Sequence, residues 1–337
     1  MAPSLGRMAA TAAALLALTL TGCSGDDGAE QARPDGPPGP RIEHALSYLP
    51  ADSRAVVFTD RAAVADRLDL GDIETGASEA DTTRWADAFW AEGYRLAVGV
   101  RSTAMRQAAF SELDVEWEAL GGPDGGGIGL SARDAHIWRM SEDLDLDAVA
   151  DDLEDAGLKR SGPDERPVFE PDFGAVDDQN TYGGRYPMEL GHLTLVPDEH
   201  LILIGLEADA VLDVIDGKAD SLASAGTFDE LLAHTEPAGL EYALFGVAGP
   251  CTRAGRVPEG RSAGLFLRSD QPARTLRLFE SAESAQADAS QLEEELSGHP
   301  VTIGVEDAAV HVDVPFADRI TATKSYLGAG GPTACPR

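Results

Sequence analysis

Two pairs of short apolar runs, each broken by an acidic turn, constrain this chain more than any other feature. Leu193–Val196 and Leu201–Ile204 flank Pro197-Asp198-Glu199, and Val301–Val305 and Val310–Val314 flank Glu306-Asp307. A strand that reverses over so few residues can pair with its successor only antiparallel, because a parallel return needs a crossover of a dozen residues or more. Further strands are expected at Ala55–Thr59, at Tyr94–Val100, where Leu96, Val98 and Val100 alternate, and at Val115–Leu120. His136–Met140, Val168–Glu170, Tyr242–Val247 and Gly264–Leu267 complete the set.

Helices fall between them. Ile42, Ala45, Leu46 and Leu49 repeat at helical spacing up to Pro50. Asp60 is placed to cap a helix running to about Leu70. Thr82–Trp90 puts Trp85, Phe89 and Trp90 on an apolar side, and Leu144–Leu158 is amphipathic with a stop at Gly157. Glu207–Asp216 and Thr227–His234 read as helices, and Pro272–Leu296 reads as one long helix with an acidic outer face. Strands and helices interleave irregularly, with several hairpins. The expected class is therefore α+β, with mainly antiparallel sheet and packed helices, rather than a doubly wound parallel fold. Leu193-Thr194-Leu195 and Val301-Thr302-Ile303, each followed by an acidic turn, point to two related α+β halves, at 42–218 and 219–327.

The ends of the chain read differently. Met1–Met8 carries one cation, Arg7, and Ala9–Leu20 is apolar but for threonines. That run is shorter than the roughly 20 residues a membrane-spanning helix needs and matches the core of a signal peptide. It ends in Leu20-Thr21-Gly22-Cys23, which resembles the bacterial lipobox, where cleavage precedes a diacylated cysteine. Residues 1–22 are expected to be a signal peptide. Residues 23–41 are expected to be a tether, since Ser24–Arg41 is rich in Gly, Pro and Asp and has almost no large apolar side chain. Residues 328–337 read as a loose C-terminal tail.

Cys23, Cys251 and Cys335 are the only cysteines. With Cys23 carrying lipid, Cys251 and Cys335 remain, and two thiols in an oxidising compartment are most simply paired. That disulfide would close a loop of about 85 residues, contribute about 4 kcal/mol on the chain-entropy account and pin the tail. A redox or metal-binding pair is the alternative, but there is no CxxC and neither cysteine has a histidine nearby in sequence.

Charge excludes one class of partner. The chain has 26 Lys and Arg against 59 Asp and Glu, a net −33, which repels nucleic-acid phosphate. Only Lys159, Lys218 and Lys324 are lysines; the Arg, Ala, Gly and Asp usage has the look of a GC-rich coding bias.

No catalytic motif stands out. Asp143, Asp145, Asp147 and Glu154 fall at positions 1, 3, 5 and 12 of an EF-hand-like loop, but Ala148 occupies the position that needs glycine. Acids at a helix start explain the run without a metal. The Gly121–Gly127 stretch lacks the GxxxxGK[ST] of a phosphate loop. His311 and Asp313 share a strand face opposite Val310, Val312 and Val314, so they are expected to face water. His192 and His200 flank a hairpin as cross-strand neighbours. No GxSxG or HExxH occurs, and a glycosidase carboxylate pair cannot be picked from 59 acids.

Together the lipobox, Leu46–Asp52 (LSYLPAD), Asp114–Glu118 and the Asp145–Gly157 helix resemble the poorly characterised actinobacterial exported lipoproteins. The LPAD-type opening is also similar to a domain of unknown function in bacterial surface proteins. The resemblance implies a lipid-anchored location on the outer face of the cytoplasmic membrane and no particular catalytic residues. The expected function is a non-enzymatic binding or envelope-accessory module with no cofactor and no metal. Its expected partners are the membrane, through the anchor, and an envelope protein or small ligand. The alternatives are an exported hydrolase with a dispersed carboxylate site and a carrier of a hydrophobic ligand.

Overall fold

The computed structural model describes residues 40–92, 105, 107–123, 134–172, 174, 176, 181–247, 260–269 and 271–328. The expected signal peptide, Cys23 and nearly all of the tether, the Tyr94–Val100 strand, Cys251, Cys335 and the tail beyond residue 328 lie outside these residues.

A twelve-stranded antiparallel sheet organises the molecule. In chain order its strands are β1 (Ala55–Asp60), β2 (Val115–Gly122), β3 (Ala135–Met140), β4 (Lys159–Ser161), β5 (Val168–Glu170), β8 (Leu193–Val196), β9 (Leu201–Ile204), β10 (Leu240–Val247), β11 (Gly260–Arg268), β12 (Ala273–Phe279), β13 (Thr302–Glu306) and β14 (Ala309–Val314). Two-residue strands β6 (Thr181–Tyr182) and β7 (Tyr186–Pro187) form a separate small ribbon. The order across the large sheet is β13-β14-β12-β11-β10-β1-β2-β3-β9-β8-β5-β4. The fold is α+β with mainly antiparallel pairing.

β1 and β10 meet in the middle, with Val57 opposite Leu244. From that seam the order outward is β1-β2-β3-β9-β8 on one side and β10-β11-β12-β14-β13 on the other. On each side three strands sequential in the chain pair in order, and a later hairpin returns its second strand beside the third. The hairpins that close the two sides are the pairs legible in the sequence.

One face of the sheet carries α1 (Arg41–Leu46), α5 (Ala208–Ile215), α6 (Leu222–Ala225) and α7 (Asp229–Ala233). They cover a core that includes Tyr48, Phe58, Trp117, Ile137, Leu203, Phe245 and Leu276. The opposite face carries α2 (Arg61–Arg67), α3 (Glu79–Ala91), α4 (Leu146–Asp155), α8 (Ala282–Glu295) and α9 (Arg319–Gly328). Val64, Trp85 and Phe89 pack there on Val57, Leu244 and Leu265. Leu146, Val149 and Leu153 of α4 pack on Trp138, Ile202 and Leu195, while Ala285, Ala289 and Leu292 of α8 pack on Phe279, Val310 and Val312.

Helix ends follow local chemistry. Asp60 accepts the Ala63 N–H at 2.9 Å and starts α2. Asp145 accepts from Asp147 and Ala148 and starts α4. At its far end Gly157 turns left-handed (φ +97°), Leu158 N–H bonds the Leu153 carbonyl and Gly157 N–H that of Glu154. That is a Schellman stop, and it requires the glycine.

Two sequence expectations need correction. Pro272–Leu296 is not one helix: Ala273–Phe279 is the strand β12, and α8 begins only after Ser281, whose Oγ accepts the Ser284 N–H. Leu276 and Leu278 turn to the α7 face while Thr275 and Phe279 turn to the α8 face, so a period of two held between β11 and β14 overrides the helix-favouring residues that follow. Trp90 is not on the buried side of α3; it is one of the exposed large apolar side chains, whereas Trp85 and Phe89 stack in the core.

Candidate functional site

Charged groups that the sequence presents as ordinary surface residues are gathered inside the fold. Arg61, at the start of α2, is 1% exposed. It donates to Glu112 (3.1 Å) and to Glu118 on β2 (2.9 Å), and Glu118 also accepts from Trp138 Nε1 (3.1 Å). Burial opposes the guanidinium charge, but Glu118 and Glu112 outweigh it and hold Arg61 above its usual range. The Phe89 and Trp138 rings lie 5.4 and 5.7 Å from its guanidinium carbon.

A second network closes at the far end of α2. Arg67 donates to Glu241 (2.6 Å) and Glu92 (2.7 Å), and Arg319 of α9 also donates to Glu92. Two cations and two carboxylates thus tie α2, α3, α9 and β10 together. Under α8, Arg277 donates to both oxygens of Asp288 (3.0 and 3.1 Å); burial raises the Asp288 carboxyl and Arg277 opposes the rise. Arg185 and Tyr186 donate to Asp152 of α4, and burial, reinforced by Asp152, pushes the Tyr186 phenol up. These arrangements hold elements in place.

His136 on β3 is 6% exposed, its Nδ1 has no hydrogen-bond partner, and burial lowers its pKa to about 4. His44, Tyr48 and Glu199 form a half-buried chain in which Tyr48 donates to Glu199 (2.8 Å) beside His44 Nε2 (3.0 Å).

The positions singled out in the sequence fare unevenly. Asp145 caps α4, so it serves the helix. His311 and Asp313 do point away from Val310 and Val312, but they are half-buried rather than solvent-facing. Asp313 is gripped by Arg274 at 2.8 and 2.9 Å, and His311 covers Gly304, whose missing Cβ makes room for its ring. His200 sits left-handed at the hairpin turn (φ +48°) and His192 offers its carbonyl to Gly205. Among the described residues no group of three or more His, Cys, Asp or Glu is placed to hold a metal ion. Among them, too, no helix is long and apolar enough to cross a membrane.

Sequence reading missed the buried charge clusters altogether. Arg61 lies 51 and 57 residues from Glu112 and Glu118, and the three carry no spacing signature. The only available hint was an arginine directly after a capping aspartate, facing the apolar stripe of α2.

β13 is one of the two edge strands of the large sheet, β4 being the other. Among the described residues it pairs with β14 alone, and Val305 is exposed. Exposed Glu293, Glu294 and Glu295 of α8 lie on the helix that packs against it, and exposed Glu306 and Asp307 end the strand.

No protein-family model and no curated protein matches this chain. Among solved structures, crystal form I of TP0453 is similar at 11% identity with a TM-score of 0.43, covering 84% of this chain and 97% of that one. Crystal form III of TP0453 is similar at 9% identity with a TM-score of 0.40, covering 84% of this chain and 98% of that one.

Proposed function

We propose that the chain is an exported lipoprotein, held at the outer face of the cytoplasmic membrane by a diacylated Cys23, whose α+β body is a non-enzymatic binding or envelope-accessory module. The anchor half of this reading rests on Leu20-Thr21-Gly22-Cys23 at the end of the Ala9–Leu20 apolar run. Each buried acyl CH₂ contributes about 0.8 kcal/mol, so a diacyl anchor outweighs repulsion between an acidic body and an anionic membrane.

One observation carries the non-enzymatic half. Carboxylates that the fold buries are held by arginines: Glu112 and Glu118 by Arg61, Glu92 and Glu241 by Arg67 and Arg319, Asp288 by Arg277. General acid–base work needs a carboxyl free to exchange a proton with a substrate; these are committed to structural partners. Cys251 and Cys335 complete the reading as a disulfide suited to an oxidising compartment.

Fractionation tests it. Wild-type protein should sediment with membranes and Cys23→Ala should not. A variant that stays membrane-bound would remove the anchor.

A further inference from the structure

We propose that His44, Tyr48 and Glu199 form a proton-sensitive clasp that fastens α1 to the β8–β9 hairpin, and that protonation of His44 tightens it. The proposal goes beyond the anchored-module reading and rests on it in one respect only: α1 is the element on which the expected tether would pull.

Geometry fixes the order of protons in the clasp. Tyr48 Oη lies 2.8 Å from Glu199 Oε2 and 3.0 Å from His44 Nε2. A phenol has one hydrogen and an ionised carboxylate only accepts, so the hydroxyl donates to Glu199. An Oη lone pair then faces His44, so Nε2 carries a hydrogen and donates to it. The chain of bonds runs one way, from His44 through Tyr48 to Glu199. A further proton enters at Nδ1. It leaves both bonds in place and turns the first donor into an imidazolium, with a carboxylate at the far end of the relay.

The surroundings hold the relay and favour positive charge. Tyr48 is 1% exposed, its ring lies over Trp117 at 6.2 Å between centroids, and the His44 ring meets the Trp117 edge at 5.9 Å. With water partly excluded, a charge-assisted hydrogen bond is stronger than at the surface. Arg139 of β3 donates to the Glu199 carbonyl and so fixes the turn that carries the carboxylate. The charged groups around the clasp are Arg41 and Glu43 of α1, Asp60 of β1, Glu116 of β2, Arg139 with Glu142 after β3, and Asp198, Glu199 and His200 in the hairpin turn. α6, which packs on α1, carries no charged side chain. Six acids against two arginines make this an acidic neighbourhood, and Arg41 is already taken by Asp60 at 2.6 Å.

The clasp acts on a defined joint. Arg41 opens α1, and Ile42, Ala45, Leu46 and Leu49 seat the helix on the core. Past the helix the Leu49 carbonyl accepts the Leu222 N–H, and the Ala51 N–H bonds the Asp220 carbonyl. Tyr48 to Glu199 bridges 151 residues and ties this joint to the hairpin on the first side of the sheet. A pull transmitted to α1 therefore meets Arg41–Asp60 and the clasp before it reaches the strands.

Hydrogen–deuterium exchange of the full chain tests it, at about pH 7.5 and pH 5.5, the range over which histidine changes charge, with rates corrected for the intrinsic pH dependence of amide exchange. Protection of the 44–48 amides, divided by that of the 149–153 amides of α4, should rise about fivefold at the lower pH, the difference between a neutral and a charge-assisted hydrogen bond. The ratio cancels any change in global stability, that from His136 included. The rise should vanish in His44→Gln, which keeps a donor for Tyr48 but does not titrate, and in Tyr48→Phe, which cuts the relay. It should shrink in Glu199→Gln and survive His200→Gln. An unchanged or falling ratio in the wild type, a rise that persists in His44→Gln, or one lost in His200→Gln would overturn the clasp. The readout needs no membrane, so its failure leaves the Cys23 anchor standing, and loss of the anchor leaves the clasp standing.

Discussion

Replacing Arg61 by Met should be among the most damaging single changes in this fold. The guanidinium is 1% exposed, and its two partners, Glu112 and Glu118, are 0% and 1% exposed. Methionine fills much of the same volume, so little of the effect would come from a cavity. What remains is two carboxylates in the core with their shared cation gone. Removing one partner of a buried ion pair costs about 3–5 kcal/mol, because the other charge is left uncompensated. With a denaturant slope of about 3 kcal/mol/M in urea for a chain of this size, the unfolding midpoint should fall by roughly 1 M or more. The cycle is closed by a compensating variant. Arg61→Met combined with Glu112→Gln and Glu118→Gln removes all three charges and should regain most of the loss. A shift well below 1 kcal/mol for Arg61→Met, or no recovery in the triple variant, would refute the claim that this network neutralises buried carboxylates.

Other outcomes follow from the same physics. His136 titrates near 6.5 when unfolded and about 4 when folded, so the folded state binds fewer protons between those values and stability falls as pH drops from 6.5 towards 4. The loss approaches about 3 kcal/mol at roughly 1.4 kcal/mol per unit, and His136→Leu should remove that slope from urea midpoints taken between pH 7.5 and pH 4.5; an unchanged slope would contradict the assignment. Asp145→Ala should cost about 1 kcal/mol through the lost cap on α4, with no response of the wild-type midpoint to added calcium; a calcium-dependent rise would revive the metal reading. Mass spectrometry of unreduced protein should find Cys251 joined to Cys335, and two free thiols would end that pairing.

The sequence is most legible where period and punctuation agree. The β8–β9 hairpin falls at the residues read from Leu193–Ile204, because two short apolar runs meet a Pro-Asp-Glu turn, and α4 stops where Gly157 can turn left-handed. β12 was hidden because Ala273–Phe279 runs straight into an Ala-, Ser-, Gln- and Glu-rich helix, and only its neighbours β11 and β14 select the strand. Trp90 shows the limit of a helical stripe: at one residue past Phe89 it is turned about 100° away from the core. The buried Arg–Glu networks depend on contacts between distant residues, 61 with 112 and 118, 67 with 92 and 241, and no local pattern carries them.

The anchor is open to one decisive reading. Mass spectrometry of the N-terminal peptide from the membrane fraction should give a chain beginning at Cys23, its sulfur bearing a diacylglyceryl group. A peptide that still begins at Met1, or one that contains Cys23 as an unmodified thiol, would contradict it.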